Sequence, residues 1–113
     1  MIIVREKKGA TTVLRLQGVV RLGESATQFS DFLSKVLNED DGPVLLDFEH
    51  IDTLDSTGLG ELIGYLQRFE ERKRKMAITK PKDRIVALLR LTRLDTLIRI
   101  FNDEASAIGY LEG

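Results

Sequence analysis

The chain has 113 residues, of which 42% are hydrophobic, so it is long and apolar enough for one domain with one buried core. Seventeen basic against eighteen acidic residues leave a net charge of −1, without the basic excess of a nucleic-acid binder. No cysteine and one histidine, His50, exclude a disulfide framework and leave a zinc site short of ligands.

Ile2 to Lys7 and Thr11 to Gln17 are rich in β-branched residues, and Lys8-Gly9-Ala10 between them predicts a hairpin. Gly18 is expected to end the second strand. Ser25 and Gln28 have the spacing of a capping box, and Phe29, Phe32, Leu33, Val36 and Leu37 follow at helical spacing. Asn38 to Pro43 closes that helix. Val44 to Phe48 is nearly continuous apolar sequence, as in a strand covered on both faces, with Asp47 as a buried acid that needs a partner.

From about Thr57 to Lys75 a second helix carries Leu59, Leu62, Ile63, Leu66 and Phe69 on one stripe. Its tail, Arg72 to Lys75, reads as a solvated cap on the negative helix end. Met76 to Thr79 predicts a short strand stopped by Pro81. Asp83 heads a helix with Ile85, Leu88 and Leu89, Leu97 to Phe101 reads as a strand, and a last helix begins near Asp103-Glu104. The order is β-β-α-β-α-β-α-β-α. It implies an α/β fold with a mostly parallel mixed sheet and an antiparallel N-terminal edge, in one domain over residues 1–113. No targeting segment or membrane span is expected, and the location read from this is cytoplasmic.

The stretch "LDSTGLGEL", residues 54–62, falls beyond a strand end, where sites gather in such sheets. Ser56 lacks the G-x-S-x-G context of a hydrolase nucleophile, and His50 reads as a surface loop residue. The glycines match neither phosphate-binding fingerprint, and Asp52 and Asp55 would repel a free phosphate. Asp55 or Ser56 suits an N-cap. That role leaves Gly60 and Gly64 unexplained: four apart, they form a bare strip, for tight packing on the sheet or for close approach of a partner. A serine at a helix start also suits phosphorylation, which adds charge and bulk there without breaking the fold.

The segment "VLLDFEHIDTLDSTGLGEL" resembles the signature of STAS domains, specifically the bacterial anti-sigma factor antagonists, and the element order is similar over essentially the whole chain. The resemblance implies a STAS-type sheet and a non-enzymatic binding module in signal transduction and transcription regulation, without cofactor or metal. The unphosphorylated domain would bind an anti-sigma factor, a serine kinase of the histidine-kinase-like ATPase fold, and so release a sigma factor. That kinase would phosphorylate Ser56 (Thr57 is the second candidate), and a PP2C-type phosphatase would reset it. Asp52, Asp55, Gly58, Leu59, Gly60 and Gly64 would belong to the partner surface, together with Arg21 and Glu24. Where the family commonly has Gly-Glu-Leu-Asp after the second strand, this chain has "GVVRL", with Arg21 in place of the acid. Glu24 is a candidate replacement, and Arg21 could pair with Asp55 or with a phosphate on Ser56. The alternative implied is a STAS scaffold or transporter-associated subunit that binds partners without Ser56 turnover. No direct contact with nucleic acid and no membrane insertion are expected in either case.

Overall fold

A computed structural model describes all 113 residues. The chain opens with β1 (Ile2–Lys8) and β2 (Thr11–Val20), antiparallel and joined at Gly9, whose φ of +60° suits a residue without Cβ. Then come α1 (Glu24–Glu39), β3 (Val44–Leu54), α2 (Ser56–Glu71), β4 (Met76–Thr79), α3 (Asp83–Leu91), β5 (Arg99–Phe101) and α4 (Glu104–Glu112). The sheet order is β1-β2-β3-β4-β5, and every pair after the first is parallel. This is the mixed α/β architecture expected from the sequence.

Alternation along the central strands separates two cores. Leu14, Leu46 and Ile78 face α1, α2 and α3 in the larger one, around Phe29, Phe48 and Phe69. Val13, Leu45 and Ala77 point the other way, where α4 covers them with Ala107 and Leu111. Residues 44–48 are all buried, as the apolar run predicted. Asp47 finds its partner in Arg15 at 3.0 Å and also accepts the Glu49 amide. Arg15 in turn pairs with Glu104 at the start of α4, tying β2, β3 and α4 together.

Five local expectations need correction. Gly18 does not end the second strand: with φ +119° beside a register shift, it lets β2 continue to Val20. The third strand likewise runs past Phe48 to Leu54, which places His50 on an exposed strand position rather than in a loop. Ser25 forms no capping box, because the chain turns at Gly23 (φ +109°) and the Ser25 hydroxyl bonds back to the Arg21 backbone. The helix after Ser56 ends at Glu71, and the following basic run is a solvated cap only in part: Arg72, Lys73 and Lys75 are exposed, but Arg74 is buried. Arg74 is 7% exposed and donates to the Val36, Leu37 and Gly42 carbonyls, while Arg72 also donates to Leu37. Finally, the strand expected over residues 97–101 covers only Arg99–Phe101, after a 3₁₀ turn at Leu94–Thr96.

Candidate functional site

The site forms where β2 and β3 both end. Val20 and Leu54 are register partners, and the Asp55 amide donates to the Val20 carbonyl at 3.0 Å. The chain then enters α2 with Asp55 as its N-cap. One Asp55 carboxylate oxygen accepts the Gly58 amide at 2.9 Å, and the other accepts the Leu22 amide at 2.8 Å. A carboxylate that takes two amide hydrogens is favoured in its charged form. Gly58 first, then Leu22, with help from the Arg21 charge, hold the Asp55 carboxyl below its usual range. The side chain of Asp55 therefore fixes the β2–α1 turn against the start of α2.

Ser56 is the first residue of α2 and is exposed, and the hydrogen bonds that organise the loop do not involve its hydroxyl. Its backbone is held while its side chain remains available. Thr57 is half-buried and lines a shallow depression with Leu22, Ala26 and Glu61, between α1 and α2. Arg21 and Glu24 line an adjoining depression, also bordered by Leu22. The structure thus brings Arg21, Glu24, Asp55, Ser56 and Thr57 into one neighbourhood. Asp52 is exposed on the β4 side and pairs with Lys82, whose hydrogen bond keeps the Asp52 carboxyl ionised to lower pH. The negative patch expected from two aspartates is thereby divided: one is neutralised by lysine, the other is bonded to amides.

The glycines separate into two kinds. A Cβ on Gly58 would lie 2.6 Å from a Leu54 methyl, 2.8 Å from a Val20 methyl and 3.0 Å from the Val20 carbonyl. Gly58 therefore permits α2 to approach the sheet and does not serve a partner's approach. Leu59 is 7% exposed and packs in the core, so it positions the loop from beneath rather than offering contact surface. A Cβ on Gly60 or Gly64 would meet nothing within 4 Å, which decides against sheet packing as the reason for the strip. Leu22 was missed by sequence reasoning. It is 79% exposed, and its only signal was an isolated apolar residue between Arg21 and Gly23.

The family model described as "Mlab, STAS domain" matches residues 3–99. The chain belongs to the STAS domain family. A Thermotoga neapolitana protein named as a candidate anti-sigma factor antagonist is 26% identical to this STAS domain over 85 residues, 75% of this chain and 72% of that protein. The crystal structure of a Thermotoga maritima protein of the same description matches with a TM-score of 0.91 at 19% identity, over 98% of this chain and 95% of that one. The Bacillus cell fate determinant SpoIIAA, in its phosphorylated form, matches with a TM-score of 0.72 at 19% identity, over 96% and 98% of the two chains. These structural likenesses bear on the fold. No helix of this STAS domain is long and apolar enough to cross a membrane.

Proposed function

We propose that this STAS domain is an anti-sigma factor antagonist whose partner binding is switched by phosphorylation of Ser56. The observation that carries the reading is the contrast at the start of α2: Asp55 holds the loop by two side-chain bonds, while Ser56 is exposed. The similarity to the named antagonists gives that hydroxyl a context. In the unphosphorylated state, Ser56, Thr57, Leu22 and the open Gly60–Gly64 strip receive an anti-sigma factor. That partner is a serine kinase of the histidine-kinase-like ATPase fold, and its capture releases a sigma factor.

The kinase then transfers the γ-phosphoryl group of ATP to the Ser56 oxygen, breaking the bond to the β–γ bridging oxygen and releasing ADP. The hydroxyl proton leaves to a base that the kinase supplies; Asp55, whose charged form is stabilised by two amide hydrogens, is weakened as a base. The added charge of about −1.5 to −2 lies at the positive end of α2, which tolerates it, so the complex and not the fold is lost. A PP2C-type phosphatase hydrolyses the ester and restores binding. Asp52, Arg21 and Glu24 shape the electrostatics around the acceptor.

Arg21 favours a second reading. With a cation where the family commonly has an acid, the domain is a scaffold or transporter-associated subunit that binds partners regardless of Ser56. Side-by-side pull-downs from the native cell extract with wild type and Ser56→Asp separate the two. An ATPase-fold kinase recovered by wild type only supports the switch; the same partners recovered equally by both overturn it.

A further inference from the structure

The basic run after α2 divides by alternation. Exposed Arg72 and buried Arg74 both donate to the Leu37 carbonyl near the end of α1, whereas Lys73 and Lys75 are exposed and face away from it. Lys73 adopts a left-handed backbone (φ +58°), unusual for a residue with a Cβ. Between these lysines and the start of β5 lies an open depression of about 250 Å³. Leu66, Met76, Leu97 and Tyr110 supply its apolar surface, with Leu97 58% exposed at its edge. Lys75 is held over the Tyr110 ring, 4.8 Å from its centre, and donates to the Tyr110 carbonyl. One carboxylate, Glu70, shares the rim with the two lysines.

We propose that this depression docks an acidic partner segment carrying one large apolar side chain. The apolar surface takes the anchor, and Lys73 and Lys75 take flanking carboxylates; the two cations outweigh Glu70. The volume lies below the roughly 300–1,000 Å³ of small-molecule pockets and suits a single side chain. The depression lies at the opposite end of α2 from Ser56. The helix has sixteen residues and is therefore about 24 Å long. Charge is screened over about 8 Å at physiological ionic strength, so a phosphate on Ser56 does not reach this contact. A partner seated here stays attached whether or not Ser56 is modified.

The test is a titration of isotope-labelled protein with the peptide Asp-Glu-Leu-Phe-Glu-Asp, followed by amide NMR shifts, against the same peptide with lysine for each acid. Saturable shifts at Lys73, Met76, Leu97 and Tyr110 with the acidic peptide only are expected. Lys73→Gly, which relieves the left-handed backbone and so folds at least as well, weakens binding about threefold to fivefold, as does Lys75→Gln. Ser56→Asp leaves the affinity unchanged. Absent or unsaturable shifts, shifts elsewhere, indifference to the lysine substitutions, or a preference for phosphatidylglycerol vesicles over the peptide would each overturn the proposal. A Ser56→Asp effect would overturn its independence from the switch. None of these outcomes depends on whether Ser56 is phosphorylated in the cell.

Discussion

The Leu22 amide and the Asp55 carboxylate meet at 2.8 Å, across 33 residues of sequence. This one bond couples the turn before α1 to the loop before α2, and it does so with the residue beside the phosphoacceptor. Asp55→Ala is therefore expected to lower the melting temperature and to loosen the Leu22 turn as well as the helix start. Asp55→Asn keeps an acceptor for one amide and should fall between the two. Because the folded carboxyl is held below its usual range, this contribution is complete above the unfolded pKa and is lost as pH falls through the folded one. Thermal melts of the three proteins between neutral and acidic pH check the order and the sign.

Gly58→Ala and Gly60→Ala should move stability in opposite directions. The first places a methyl against Leu54 and Val20 and costs about 1–3 kcal/mol. The second adds a methyl in open space and stabilises the helix by about 0.5–1 kcal/mol. If the Gly60–Gly64 strip is contact surface, the stabilised variant binds the anti-sigma factor more weakly than wild type. Urea denaturation together with a binding assay separates the effects.

Arg74 satisfies two carbonyls in the last turn of α1, Val36 and Leu37, and that of Gly42 in the turn before β3, from a buried position. Burial is also why its guanidinium is easier to deprotonate than usual, with nearby Asp40 opposing the shift. Arg74→Ala leaves those carbonyls without the donor and is expected to cost about 2–4 kcal/mol. Arg72→Ala, which removes an exposed side chain from one of the same carbonyls, costs about 1 kcal/mol or less. Chemical denaturation compares them directly.

Glu104 has its carboxyl pulled down to about 2, chiefly by its hydrogen bond to Arg15 and further by Lys8, against the cost of partial burial. Its stabilising contribution is full above about 4.5 and disappears as pH falls toward 2. Glu104→Gln is expected to lose roughly 1 kcal/mol at neutral pH, after allowance for solvent screening, and nothing at pH near 2. A pH series of denaturation midpoints for the two proteins should converge at the acidic end.

Arg21 bears on the phosphorylated state. It is exposed and its charge reaches Asp55, so a phosphate on Ser56 enters the field of the same guanidinium. In Ser56-phosphorylated protein, the second phosphate ionisation, ordinarily near pH 6, should occur at lower pH than in the Arg21→Gln variant. Phosphorus NMR titration reads the difference.

Much of the fold was legible because its strands and helices differ in period. The run at residues 44–48 announced a doubly covered strand, and the stripe from Leu59 to Phe69 announced α2. The failures occur where a residue has more than one local use. Gly18 is a strand breaker in isolation but a bulge when β1 and β3 both pair with its strand. Arg74 reads as a surface cation until the ends of α1 and α2 are brought together. The candidate site was recognisable at Asp55 and Ser56, whose capping spacing is local. Leu22 and Lys82 were not, since their contacts with Asp55 and Asp52 span 33 and 30 residues. The inward direction of Gly58 likewise depends on Val20, a neighbour that only the tertiary fold supplies.

The strands lie across the sheet in the order in which they occur along the chain. During synthesis each new strand can therefore be added to the edge of those already made, with no gap kept open for a later arrival. The exception is the second face: Val13, Leu45 and Ala77 wait for Ala107 and Leu111. Until α4 leaves the ribosome, the nascent sheet presents an oily surface to water or to a chaperone. The element of this fold that is translated last thus determines when the polypeptide stops being sticky.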